Sequence, residues 1–182
     1  MNLEHLMWAE DGWGYLPPSE EVFSIIQRVK SIVQPKTMLE IGFYAGHSTT
    51  YFAEFMPKCD IVSCSPPHPR GLKYGPIVEE KYSNVRYIPT PSPDIYEEVN
   101  DYTFDLVFVD GNHTKENCMI DTNVAIKLGA EYILYDNCEQ RQVRHAIEEF
   151  NHTLEYVKGW TYESNFKNKI TTNMMGLYKK KC

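Results

Sequence analysis

The sequence predicts an α/β fold: a Rossmann-like, seven-stranded, mostly parallel sheet with an antiparallel last strand and helices on both faces. Three observations carry this. Short apolar runs alternate with segments of helical spacing from residue 19 to residue 150. Beyond residue 150 two strand-like runs follow with no convincing helix between them, which predicts a closing hairpin and one reversed strand. At 182 residues, without an internal repeat or a linker-like stretch, the chain has the size of one domain. We read residues 1–182 as that domain, with an aromatic N-terminal segment over 1–18 and the core over 19–182.

The elements follow in order. Ser19, after Pro17-Pro18, caps a helix in which Val22, Phe23, Ile25, Ile26, Val29, Ile32 and Val33 keep helical spacing. Glu20 and Glu21 suit its positive end, and Pro35 stops it. Residues 38–43 read as a short buried strand, followed by a glycine-bearing turn and a helix over 47–55. Next come a strand over 60–65, a proline-rich loop, a weak helix over 77–82 and a strand over 84–88. A helix over 92–99 leads to the strongest strand signal, 104–109. A helix over 114–128 stops at Gly129, a residue suited to a left-handed helix end. Residues 131–135 read as strand, and Val143, Ile147 and Phe150 mark the buried stripe of a last helix. The closing strands fall over 154–163 and 174–179.

Composition excludes several classes. With 42% hydrophobic and 24% charged residues the chain is not globally disordered. No apolar run approaches the ~18 residues of a spanning helix, and the N-terminus lacks the basic start and apolar stretch of a signal peptide. A net charge of −7 argues against a nucleic-acid partner, and no membrane partner is expected. Lys179-Lys180-Lys181 reads as a solvated end. Cys59, Cys64, Cys118, Cys138 and Cys182 form no CxxC pair and read as reduced thiols, which places the protein in the cytoplasm.

In such sheets ligands sit at the carboxyl ends of the strands. After the first strand the chain reads Glu40-Ile41-Gly42-Phe43-Tyr44-Ala45-Gly46-His47-Ser48. The spacing is GxxxG, not the GxGxxG of dinucleotide binders, and no Walker lysine follows. Glu40 would repel a pyrophosphate but accept from an ammonium; the alternative is a tight strand–helix turn. Asp110 closes the fourth strand, and Asp136 and Asn137 close the fifth. Adjacent strands run about 4.8 Å apart, so the three converge if those strands pair. Three oxygen ligands with open positions suit Mg²⁺. The alternative is that Asp136 and Asn137 shape a strand-end turn.

Taken together, residues 17–180 resemble the class I S-adenosylmethionine-dependent methyltransferases. Within them the chain is most similar to the small cation-dependent, catechol-type O-methyltransferases and their bacterial relatives. The motif from Glu40 to Ser48 matches at the glutamate, both glycines, Tyr44 and Ser48, and Met175-Gly176-Leu177-Tyr178-Lys179 resembles the fold's last strand. The resemblance implies S-adenosylmethionine as cofactor, with Glu40 reaching its amino group, Ser48 holding its carboxylate, and Gly42, Tyr44, Gly46 and Asp110 around it. It further implies Mg²⁺ on Asp110, Asp136 and Asn137, and a hydroxylated small molecule as substrate.

Two departures stand out. Ser65 occupies the place of the family's ribose-gripping acid, which weakens binding by roughly 1–2 kcal/mol unless the loop Pro66-Pro67-His68-Pro69 is reshaped around the ribose. Thr90-Pro91-Ser92 replaces the Gly-Asp-Ser or Gly-Ala-Ser that relatives place beside the adenine, leaving Ser92 there. His113 stands where the catechol enzymes have a lysine. It reads as the base that takes the acceptor's proton, or as a histidine held at a helix start by local hydrogen bonds. His47, His68, His145 and His152 have weaker cases.

Cys64-Ser65-Pro66-Pro67-His68 is similar to the S-P-P-Y motif of amino-methylating nucleic-acid enzymes, but it follows the second strand, not the fourth. Trp8, Trp13 and Tyr15 either cap a substrate pocket or anchor a homodimer. The reading is methyl transfer to a small-molecule hydroxyl with metal assistance. Its rival is a non-catalytic cofactor-binding or scaffold protein whose ribose site has degenerated.

Overall fold

The computed structural model describes residues 16–166 and 169–181. Trp8, Trp13, Tyr15 and Cys182 lie outside them, and with them both readings of the aromatic segment. The chain forms α1 (Glu20–Val33), β1 (Thr37–Ile41), α2 (His47–Phe55), β2 (Asp60–Cys64), α3 (Pro69–Lys81) and β3 (Val85–Ile88). A 3₁₀ turn (Ser92–Asp94) leads to α4 (Tyr96–Val99), β4 (Leu106–Val109), α5 (Lys115–Lys127), β5 (Tyr132–Tyr135), α6 (Arg141–Glu148), β6 (Leu154–Phe166) and β7 (Lys169–Lys180).

The sheet order is β3-β2-β1-β4-β5-β7-β6, parallel except for β7, which runs against both its neighbours. The chain winds outward from β1 to β3, then crosses back to pair β4 with β1. That reversal opens a crevice at the carboxyl ends of β1 and β4.

Strand alternation splits the core between two faces. Met38, Leu106 and Phe108 join one cluster with Val22, Ile26 and Phe52 of α1 and α2. Leu39, Ile41, Val107 and Val109 join the other with Val124 of α5 and Ile147 of α6. Successive side chains point to opposite faces, so a strand apolar at every position is buried on both sides.

Ser19 caps α1 by accepting from the Val22 N–H at 3.3 Å, and Gln34 ends it in the left-handed region (φ 50°) before Pro35. Four expectations are corrected. β1 ends at Ile41, so Gly42 and Phe43 belong to the turn. The loop after β2 is the start of a 13-residue helix: His68 accepts from the Arg70 N–H, and Pro69 takes the first helical position, where no N–H is needed. Gly71 and Gly75 of that helix pack on Tyr87; a Cβ at either would stand 2.3 or 2.1 Å from its side chain. Residues 92–99 form the 3₁₀ turn and a single helical turn, not one helix. Last, β6 and β7 extend well past 163 and before 174, making a long hairpin.

Among the described residues no helix is long and apolar enough to cross a membrane. Cys59, Cys64, Cys118 and Cys138 are buried free thiols.

Candidate active site

The turn after β1 is shaped by close approach. The Gly42 N–H donates to the Cys64 carbonyl at 2.8 Å, and Gly42 adopts φ 121°. A Cβ there would lie 2.1 Å from the Asp110 carbonyl oxygen, so only glycine lets the ends of β1 and β4 meet. Gly46 (φ 79°) opens α2, and a Cβ on it would press the Phe43 ring at 2.7 Å. Tyr44 also sits in the left-handed region (φ 45°), a costly backbone for a bulky residue. Its ring stacks on His68 with centroids 5.6 Å apart, and the Arg70 guanidinium lies 4.9 Å from its centroid and donates to its hydroxyl.

Glu40 lies behind this turn with no exposed surface. It pairs in register with Ser63 of β2. The Ser48 hydroxyl donates to Oε1 at 2.5 Å, and Thr49 and Ser63 donate to Oε2. Burial outweighs these donors and pushes the carboxyl up to about 7.

Gly42, Tyr44, Ser65, Asp110 and His113 surround one cleft of about 560 Å³, with Pro66, Pro67 and His68 opposite Gly111 and Asn112. That volume suits a small-molecule site. Glu40, Gly46, Ser48, Ser92, Asp136 and Asn137 are not on its lining. Ser65 is buried, its hydroxyl 3.2 Å from that of Tyr87.

At the other end of the cleft His113 Nε2 lies 3.3 Å from Asp110 Oδ1, and Gln140 Nε2 lies 3.3 Å from His113 Nδ1. Burial raises Asp110, and hydrogen bonding to Asp110 raises His113. Val109 pairs with Tyr135, and the Asp136 N–H donates to the Val109 carbonyl at 3.1 Å, so Asp110 and Asp136 end neighbouring strands side by side. The Tyr162 hydroxyl, from β6, reaches both Asp136 oxygens at 2.8 Å. Burial and then the Asp110 charge hold Asp136 well above the usual carboxylate range. Asn137 (φ 53°) turns its amide nitrogen toward Glu139 and Asn173, both at 3.4 Å. Among the described residues no group of three or more His, Cys, Asp or Glu is placed to hold a metal; Asp110, Asp136 and Asn137 offer two carboxylates and one amide oxygen.

Ser92 is buried and donates to Asp121 Oδ1 of α5; burial pushes Asp121 up to about 6. Sequence reasoning missed Asp121, Tyr162, Tyr87, Gln140 and Arg70. Asp121 alone left a signal: it shares the inward stripe of α5 with Cys118, Thr122 and Ala125. Of the weaker histidines, His68 caps α3, His47 is buried at the start of α2, His145 lies in α6 and His152 is exposed.

Sheet order, reversed β7 and the cleft at the β1–β4 crevice are those of a Rossmann-like class I methyltransferase fold. The chain belongs to a methyltransferase domain family, whose model matches residues 39–131, from β1 past α5. No curated protein matches it in sequence. Among solved structures it is similar to an O-methyltransferase from Bacillus cereus in complex with SAH. There the identity is 16%, with 97% of this chain and 88% of that one covered and a TM-score of 0.72. It is also similar to the O-methyltransferase TomG from Streptomyces achromogenes, involved in tomaymycin synthesis and solved with SAM (18%; 90% and 82%; 0.65). A third is PH1948 from Pyrococcus horikoshii, proposed to be an RNA methyltransferase (11%; 88% and 85%; 0.70). At these identities the likeness is one of fold.

Proposed function

We propose that the protein transfers a methyl group from S-adenosylmethionine to a hydroxyl of a small molecule, with a divalent cation at the acceptor end. One observation carries this: Gly42, Tyr44, Ser65, Asp110 and His113 converge on a single cleft at the β1–β4 crevice. A net charge of −7 favours a small acceptor over a nucleic acid. O-methyltransferases among the similar structures favour oxygen as the acceptor atom.

The donor set fits a hard cation. Asp110 and Asp136 are neighbouring carboxylates raised by burial, and Asp110 raises Asp136 further, a repulsion that a cation between them would relieve. Asp110, Asp136 and the Asn137 amide oxygen would hold it. A bound divalent cation would lower the acceptor hydroxyl's pKa and orient its oxygen. His113 supplies the base: Asp110 accepts from Nε2–H and leaves Nδ1 as the basic nitrogen, covered in this state by the Gln140 amide. An acceptor hydroxyl that displaces Gln140 meets Nδ1 directly. Tyr44, held by His68 and Arg70, and the bare backbone of Gly42 shape the cofactor side. Ser65, bonded to Tyr87, offers the ribose one hydroxyl in place of a carboxylate. That substitution also favours the second reading, a protein that binds the cofactor without turnover.

The experiment is transfer of a labelled methyl group from S-adenosylmethionine to phenols, sugars and hydroxy acids, with Mn²⁺ and with excess chelator. Turnover with Mn²⁺ and its loss in chelator support the reading. Full activity in chelator removes the cation, and cofactor binding without turnover on any acceptor favours the second reading.

A further inference from the structure

The Asn137 amide sits between two acceptors. Its Nδ2 lies 3.4 Å from Glu139 Oε1 and 3.4 Å from Asn173 Oδ1. Both neighbours are committed to accepting. A carboxylate has no proton to donate, and the second Glu139 oxygen, Oε2, accepts the Met174 N–H at 2.7 Å. Asn173 is pinned through its nitrogen, which donates to Ser164 Oγ at 2.8 Å and to the Thr171 carbonyl at 3.3 Å. Its oxygen is what remains for Asn137.

The turn that carries Asn137 is tied to β7 as well, because the Cys138 N–H donates to the Met174 carbonyl at 2.8 Å. With its nitrogen drawn toward Asn173 of β7, the planar amide carries its oxygen away from that strand. β4, with Asp110 just beyond its end, lies on the other side of β5. Asn137 Oδ1 receives no hydrogen bond from the described residues. It is not sealed in either: Trp160 Nε1 is the one buried side-chain polar atom among them without a partner, so this oxygen is open to solvent. Two neighbours that take only the nitrogen thus leave the oxygen presented to a ligand.

We propose that Glu139 and Asn173 are positioning residues of the cation site, locking the Asn137 amide so that it offers a divalent cation its oxygen and not its NH₂. The proposal rests on the reading of Asp110, Asp136 and Asn137 as the cation's ligands. The two ends of an amide are alike in shape and opposite in chemistry. The oxygen has lone pairs to give, whereas the nitrogen carries two protons that a cation repels. Groups that touch only the ligands set metal affinity through such orientation, commonly by 10–100-fold.

The test is calorimetric titration with Mn²⁺, without methyl donor or acceptor, of wild type and two double variants. Glu139→Gln with Asn173→Ala leaves the Met174 N–H holding the Gln carbonyl, so the Gln NH₂ faces Asn137 and turns the amide round. Glu139→Ala with Asn173→Ala removes both acceptors and supplies no donor. The two variants lose the same charge and the same hairpin contact, so their difference reads orientation alone. The glutamine variant should bind Mn²⁺ at least about tenfold more weakly than the alanine variant. Adding Asn137→Asp to the glutamine variant should restore binding at least to the alanine variant's level, since a carboxylate offers oxygen on both sides; this also shows that the chain still folds. Equal affinity in the two double variants overturns the proposal, and so does failure of Asn137→Asp to restore binding. Wild type that takes up no Mn²⁺ defeats the cation reading itself, and the proposal with it.

Discussion

Glu40→Gln separates a buried carboxylate from its shape. The side chain is fully enclosed, and burial lifts it from an ordinary 4.5 to about 7 against the pull of Ser48, Ser63 and Thr49. Between those values the native state holds a proton that the unfolded chain has released. Stability therefore falls as pH rises through this window, by up to about 1.4 kcal/mol per unit and about 3 kcal/mol in all. Glutamine keeps the Ser48 bond, and the Thr49 and Ser63 hydroxyls can rotate to accept from its amide nitrogen. It cannot titrate. Urea unfolding of both proteins from pH 4.5 to 8 measures the difference. Wild type should lose about 3 kcal/mol relative to Glu40→Gln across that range, with the largest advantage to glutamine at the alkaline end. Because Asp110, Asp121 and Asp136 titrate in both proteins, only the difference carries the Glu40 contribution. Parallel profiles would refute the reasoning and show a carboxylate that ionises freely in its cage.

Gly42→Ala should cost at least about 2 kcal/mol, since its Cβ would meet the Asp110 carbonyl at 2.1 Å in a left-handed backbone; urea unfolding reads this directly. Tyr162→Phe should cost about 1.5–3 kcal/mol by stripping the donor from both Asp136 oxygens, and a cost near zero would show that water replaces it. His113→Ala should lower kcat about 10²–10⁴-fold while S-adenosylhomocysteine affinity changes little; turnover within a few-fold of wild type would remove the base. Ser65→Asp should tighten that ligand roughly tenfold if the ribose lies against β2, as calorimetry would record.

Apolar alternation made the sheet legible: Met38-Leu39 and Leu106–Val109 are strands apolar at successive positions, and such strands are covered on both faces. The first turns of α3 were hidden, leaving only a weak helix over 77–82 legible, because Gly71, Gly75 and Pro76 are poor helix formers, and the reason for the two glycines is the Tyr87 side chain on another element. Asp110, His113 and Ser65 could be found because a strand end announces itself locally. The surroundings of Glu40 could not: its enclosure depends on the register that sets it opposite Ser63 and beneath α2. Tyr162 and Asp121 escaped for the same reason. Each meets its partner across 26 or 29 residues of chain, and no motif spans that distance. Gly46 carries a further lesson. Its Cβ would press Phe43, so a valine there would disturb the turn before it touched a ligand.

The central claim is that the cleft between Gly42, Ser65 and Asp110 holds the methyl donor. Titration with S-adenosylhomocysteine, followed by calorimetry and thermal unfolding together, tests it most directly. The account predicts saturable binding at one site per chain and a melting temperature that climbs with ligand concentration. No heat and no shift at millimolar ligand would contradict it.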